Sequence, residues 1–252
     1  RHISSNRYVP MILPDGRSLH GINDASIRIG LRLSKDETIV RMPFEVRHMG
    51  SKYPIFSFDF TGAKRGVLPA SYDYLRLEGR MQYRLNLPPI GYSQLMLEGG
   101  KIFGKVPYLL LKLHEGNGTY FYDRYAFSCM NFYEFSSDAW ISFFYEHHFN
   151  GFLLGRVPLL KKLNWREVFV FKGVYGTLSA RNDGSLPNTK AVMLFPVGMS
   201  SVEHPYLETG FGIENIFRLL RVDCIWRLTH HRAVPGLSIP TFTVNFSLNL
   251  KF

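Results

Sequence analysis

The chain has 252 residues, 46% of them hydrophobic, with 21 Phe and 14 Tyr, which suffices for one all-β domain or a barrel. No apolar run approaches the roughly 18 residues of a membrane-crossing helix. The formal charge of +10 raises nucleic acid as a partner, but the Lys and Arg residues are spread one or two per segment at alternating positions, so a phosphate-tracking surface is not expected.

Residues 1 to 22 contain Pro10, Pro14 and Gly16 and read as loop. From Ala25 an alternation begins: Ile27, Ile29, Leu31 and Leu33 face one way, Arg28, Gly30 and Arg32 the other. Residues 35 to 52 fit a long turn or a poorly marked strand. Tyr53 to Gly62 alternates again, with Phe56, Phe58 and Phe60 opposite Ser57, Asp59 and Thr61.

Tyr74 to Leu87 is the most informative internal segment. Leu75, Leu77, Met81, Tyr83 and Leu85 share one face; Arg76, Glu78, Arg80, Gln82 and Arg84 share the other. Three arginines and a glutamate on one face of a strand need water or countercharge, because buried charge is tolerated only when paired. The opposite face needs an apolar medium. Pro88, Pro89 and Gly91 then turn the chain into a strand from Tyr92 to Phe103.

Residues 104 to 137 lack period-two alternation and are longer than most loops of compact domains, which points to function. Strand character returns at Asp138, with Trp140, Ser142, Phe144, Glu146 and His148 on one face and Ile141, Phe143, Tyr145 and His147 on the other. Trp165 to Ala180 reads as a strand whose inward face is ambiguous, and a second long loop covers 181 to 204. Tyr206 to Glu214 sets Glu208, Gly210, Gly212 and Glu214 opposite Leu207, Thr209, Phe211 and Ile213. Leu220 to Thr229 sets Arg221, Asp223 and Arg227 opposite Leu220, Val222, Cys224 and Trp226.

The final segment, Thr241 to Phe252, alternates without a miss: Phe242, Val244, Phe246, Leu248, Leu250 and Phe252 against Thr241, Thr243, Asn245, Ser247, Asn249 and Lys251. Its length is about that of a tilted strand crossing a bilayer. This gives about nine strands, with short and long connections alternating as in outer-membrane barrels, where the long loops lie outside. If the chain ends on the periplasmic side, the loops at 104 to 137, 181 to 204 and 230 to 238 all fall outside. Single-chain bacterial barrels have even strand numbers. Either one strand is miscounted near 35 to 52, or the chain is the carboxy-terminal part of a larger barrel.

Several local patterns point to chemistry less strongly than they first suggest. Gly99 to Val106 has phosphate-loop spacing, but Val106 stands where Ser or Thr is required and no helix is expected after it. Glu146, His147 and His148 form a metal-like triplet on paper; on a strand His147 faces the lipid or the interface, away from the other two, and a structural hydrogen-bond pair is expected. His204, His230 and His231 fall in outer loops with no ordered nucleophile and base around them. Cys129 and Cys224 form no metal or redox motif and read as packing residues. No enzyme activity, metal or cofactor is expected.

The stretches Gly100–Tyr108 (GKIFGKVPY), Thr119–Phe127 (TYFYDRYAF), Tyr145–Gly151 (YEHHFNG), Trp165–Gly176 (WREVFVFKGVYG) and Gly212–Thr229 (GIENIFRLLRVDCIWRLT) resemble a Bacteroidota outer-membrane family over roughly residues 53 to 252. Its barrel has no assigned function and follows a carboxypeptidase-regulatory-like β-sandwich. The terminal aromatic, with Phe246, Leu248, Leu250 and Phe252 on one face, resembles the signal that closes outer-membrane barrels. The resemblance implies a barrel similar to the surface-antigen/BamA superfamily, of about sixteen strands. Residues 1 to 252 would form a single barrel domain or its later portion, about nine or ten strands.

In that superfamily the long sixth outer loop folds back into the lumen and carries a Val-Arg-Gly-aromatic motif. The 104 to 137 segment occupies that place but lacks the motif; its nearest counterpart is Asp123-Arg124-Tyr125. The expectation is a latch in which Arg124, with Asp123, meets wall residues Glu146, His148, Glu208 or Glu214. Arg28, Arg32, Arg76, Glu78, Arg80, Arg84, Arg221, Asp223 and Arg227 form an expected ladder of lumen charges. The implied setting is the bacterial outer membrane, with the bilayer, lipopolysaccharide and other outer-membrane proteins or lipoproteins as partners. Two roles compete: insertion, translocation or scaffolding of envelope components, or a passive pore or structural subunit with anion preference. A lipid-modifying enzyme is a third.

Overall fold

The computed structural model describes residues 2–6, 9–42, 44–67, 69–185, 190–202, 204–232 and 238–248. Nine strands carry the fold: β1 (Ile27–Leu33), β2 (Ile55–Ala63), β3 (Tyr74–Asn86), β4 (Tyr92–Gly104), β5 (Ala139–His148), β6 (Arg166–Thr177), β7 (Tyr206–Ile216), β8 (Leu220–Arg227) and β9 (Phe242–Leu248). They form one antiparallel sheet in strict sequence order, each strand paired with the next, and β1 and β9 stand at its two edges. Period-two alternation is what makes this meander possible, since every strand can place one kind of side chain on each face.

The register is tight where turns are short. β3 and β4 pair from Tyr74 opposite Gly104 to Asn86 opposite Tyr92. The turn between them closes with Leu87 N–H donating to the Gly91 carbonyl at 2.8 Å. Gly91 has φ +102°, and a Cβ there would sit 1.8 Å from the His148 carbonyl oxygen, so only glycine lets β5 approach this turn. At the same end, β7 and β8 are joined through Phe217 and Arg218, both at positive φ.

The undecided stretch at 35 to 52 forms a separate hairpin, Thr38–Arg41 with Val46–Gly50, and adds no strand to the main sheet. The count of nine therefore stands. The aminoterminal segment, read as loop, contains a short pair, His2–Ser4 with Gly21–Asn23. The long connections are also stitched together: Phe135–Ser137 pairs antiparallel with Lys112–Leu113 and parallel with Ser200–Ser201. Among the described residues helix is limited to 3-10 turns and one four-residue turn, α1 (Pro158–Lys161), and no helix is long and apolar enough to cross a membrane.

Burial is distributed opposite to that of a water-soluble sheet. On the inward face Lys172, Glu208, Asp223 and Asn245 are 0% exposed and Glu146 1%, whereas outward Ile29 is 66%, Phe211 60% and Leu248 64% exposed. Two apolar clusters lie on the inward side. Phe127, Met130 and Phe135 from the 105 to 138 connection pack on Met96, Phe144, Val174 and Tyr206 of β4 to β7. At the end where the long connections gather, Met11 and Ile22 join Ile102, Val106, Tyr108, Trp140, Met193 and Met199.

Candidate functional site

The connection between β4 and β5 folds onto the inward face of the sheet and touches a polar group on each strand from β4 to β9. Lys112 Nζ donates to Glu98 Oε1 on β4 at 2.8 Å and to Glu115 at 2.9 Å. Arg124 Nε donates to Glu146 Oε2 on β5 at 2.8 Å, and the Tyr122 hydroxyl donates to the other carboxylate oxygen. Lys172 Nζ on β6 donates to the carbonyls of Asp123 (2.7 Å) and Ala126 (2.6 Å).

On β7, the Glu208 carboxylate accepts the backbone N–H groups of Ser128 (2.8 Å) and Cys129 (2.7 Å) and the Tyr206 hydroxyl (2.6 Å). On β8, Arg227 donates to both Glu134 carboxylate oxygens (2.6 and 3.2 Å) and to the Cys129 carbonyl (3.1 Å). At β9 the contact is backbone pairing: Tyr122 N–H donates to the Phe246 carbonyl and Phe246 N–H to the Tyr120 carbonyl, each at 2.7 Å. Asn245 Nδ2 adds a bond to the Thr119 carbonyl at 3.1 Å.

Each tether has a local cause. Strand alternation turns a polar side chain of each strand to the inward face, and the loop meets them with backbone carbonyls, amides and a few long side chains. Buried carboxylates bound by backbone N–H groups or guanidinium are charge-assisted and stronger than neutral pairs. The Tyr122 ring sits between two cations, 4.5 Å from Lys172 Nζ and 4.4 Å from the Arg221 guanidinium carbon. Burial pushes the Cys129 thiol up to about 12, with the nearby Glu208 carboxylate acting in the same direction. Burial also holds the His114 imidazole down at about 3, with the Lys112 ammonium helping and Glu98 opposing.

Of the expected latch residues, Arg124 meets Glu146 and not Glu208 or Glu214. Glu208 binds loop backbone instead. Glu214 receives His148 Nδ1 at 3.2 Å, while His148 Nε2 lies 3.4 Å from Glu146. The Asp123 carboxylate accepts its own loop's Tyr125 N–H, and it is the Asp123 carbonyl that reaches the wall. His147 points to the opposite face, where it is 5% exposed and within 2.8 Å of Ser93 Oγ, so it is packed rather than bare. Gly99 to Val106 runs from β4 into the loop and is followed by the three-residue 3-10 turn Tyr108–Leu110, not by an α-helix.

The charges of the expected lumen ladder are mostly arranged in pairs. Arg28 pairs with Asp59, Arg32 with Glu37, Arg76 with Glu78, and Arg80 with Glu98. Arg221 is bidentate on Asp223 (2.7 and 2.8 Å) and reaches Glu146 at 3.2 Å. Arg84 lies 4.0 Å over the Tyr92 ring, which stacks on His148. On the outward face Phe246 and Leu248 are 39% and 64% exposed; Leu250 and Phe252, expected to complete the terminal signal, lie outside the described residues.

Lys172, Glu134 and Tyr122 were not legible as site residues. In β6 the inward positions Val168, Val170 and Val174 are apolar, and Val174 packs in one cluster with the loop's Phe127 and Phe135, so most of the polar half of the alternation is missing. The available signal was a single lysine, Lys172, within an otherwise apolar and aromatic strand.

Residues 9–180 match the C-terminal domain of a family of unknown function (DUF5686). No curated protein sequence matches the chain. Among solved structures the chain is similar to BamA from Haemophilus ducreyi lacking POTRA domains 1-3, with TM-score 0.52 and 11% identity over 94% of this chain. It spans 45% of that chain's length. At this identity the likeness shows the fold alone: a portion of a BamA-type β-barrel.

Proposed function

The chain belongs to the family of unknown function DUF5686 by its C-terminal domain, and from that premise we propose that it is the later part of an outer-membrane β-barrel, closed by its own loop, that assists insertion, translocation or scaffolding of envelope components. The proposal places it in a Bacteroidota envelope, after a carboxypeptidase-regulatory-like sandwich, with lipopolysaccharide and other outer-membrane proteins as neighbours. Its role in this reading is mechanical, not catalytic.

The observation that carries the proposal is the inverted burial combined with the tethered loop. An outward face of exposed Ile, Phe and Leu suits hydrocarbon, and a buried inward face of charge pairs suits a lumen. A loop bonded to the inward groups of six successive strands obstructs that lumen. The pairing of Arg28, Arg32, Arg76 and Arg80 with carboxylates argues against the anion-selective pore, whose preference would need uncompensated cations.

Conductance of the full protein in planar bilayers tests this reading. Wild type should show no steady open state, and an Arg124→Ala/Glu208→Gln double variant should show frequent openings. A wild-type channel that is steadily open and anion-selective would contradict the plugged barrel and favour the passive pore.

A further inference from the structure

We infer that the outward rim of β4, β5 and β6 holds a binding site for the phosphate group of a membrane lipid, gripped by Lys101 and Arg181. This deepens the membrane reading and rests on it. Lys101, Ala139 and Thr177 stand side by side in register across the three strands, on the outward face. With Phe103, Ser179 and Arg181 they line a cavity of about 370 Å³ at the end where the long connections gather. The site lies in the middle of the sheet, away from both edges.

Lys101 is the one lysine or arginine on the outward face of the nine strands; the other outward positions of β3 to β6, for example, are Leu75, Leu97, Ile141, Phe143, Phe171 and Tyr175. A cation set in an apolar surface at a bilayer's edge is costly unless it reaches the polar layer or meets an anion. Lys101 is three residues from the end of β4, about 10 Å at strand rise, which is the depth of headgroups. Its Nζ lies 5.4 Å over the Phe103 ring, and among the described residues neither Lys101 nor Arg181 forms an ion pair.

The rim is also built to hold its shape. Asp138 is the one acidic lining residue, and its Oδ2 is occupied by Ser179 N–H (3.0 Å), the Ser179 hydroxyl and Asn182 Nδ2 (3.0 Å). That carboxylate is 6% exposed and is spent on fixing the 178 to 182 turn, and through it Arg181. Two cations over an apolar wall match a phosphate attached to acyl chains: the headgroup meets Lys101 and Arg181, and the chains run down over Ile141, Phe143 and Tyr175.

Native mass spectrometry of the full protein, with bisphosphorylated lipid A, the same lipid dephosphorylated, or inorganic phosphate, tests the site. Wild type should retain lipid A, and a Lys101→Gln/Arg181→Gln variant should retain about tenfold less; the dephosphorylated lipid should be lost to a similar degree. Equal retention by wild type and a variant that still folds into phosphatidylcholine vesicles would overturn the site while leaving the barrel intact. Inorganic phosphate binding as tightly as lipid A would overturn the lipid assignment. A wild-type protein that enters no vesicle would overturn the membrane reading and the site with it.

Discussion

Glu208 shows how one buried carboxylate organises the loop. Two backbone N–H groups and a hydroxyl converge on it, and a glutamine would turn an N–H toward donors and lose at least one of these bonds. Charge-assisted bonds of this kind are worth about 1.5–3 kcal/mol each. Cys129 reports the outcome, because its thiol is fully buried with Sγ 3.6 Å from the Ile225 carbonyl. In a Cys224→Ser background, maleimide should label Cys129 slowly in the otherwise native protein and at least about tenfold faster in Glu208→Gln, given that loss. Equal labelling rates would show that Glu208 does not hold the loop.

His114 makes the loop's packing sensitive to acid. Its imidazole is buried, with Nε2 3.0 Å from Ser137 Oγ, and burial holds its folded value near 3 against an ordinary 6.5. Between those values the released loop binds a proton that the packed loop does not, so its contribution to stability is complete above pH 6.5 and falls as pH drops toward 3. The slope approaches about 1.4 kcal/mol per pH unit. A His114→Gln variant should lose part of the acid-induced rise in Cys129 labelling; an unchanged profile would assign that rise to other groups.

At the scale of elements, the loop and β9 are coupled through the backbone. Residues 120–122 run parallel to β9 and satisfy the N–H and carbonyl of Phe246, groups that are expensive to leave open beside hydrocarbon. Arg124, two residues on, anchors the same segment to β5. Hydrogen exchange should therefore find the amides of Tyr122 and Phe246 protected together and released together in Arg124→Ala. Release of Tyr122 with Phe246 still protected would mean that the β9 edge is satisfied by another strand.

The strands were legible because each offers one uninterrupted rule: outward apolar, inward polar. Phe56–Phe58–Phe60 in β2 and Leu75–Leu77 with Arg76–Glu78–Arg80 in β3 follow it closely. β6 does not, since its inward Val168, Val170 and Val174 are apolar and buried. That Arg124 meets a wall carboxylate could be anticipated from its charge once the resemblance had placed the 104 to 137 segment in the lumen. The choice among Glu146, Glu208 and Glu214 could not, because it depends on which wall residue faces a guanidinium and which faces two backbone amides.

For the whole molecule, the distribution of burial sets the account apart from a soluble β-sandwich. Charged side chains on β5 to β8 are buried, and the outward rows of Phe, Ile and Leu are bare. In water such rows would drive aggregation; against acyl chains they are the expected lipid-facing surface. Two of the three tryptophans sample the two faces: Trp226 is 41% exposed on β8, and Trp140 is 6% exposed within the inward cluster. The most direct test is fluorescence quenching of single-tryptophan variants of the full protein in vesicles whose lipids carry bromine on the acyl chains. Strong quenching of Trp226 with little effect on Trp140 is the predicted result. A protein that folds as a monomer in detergent-free buffer, or a Trp226 untouched by brominated chains after insertion, would contradict it.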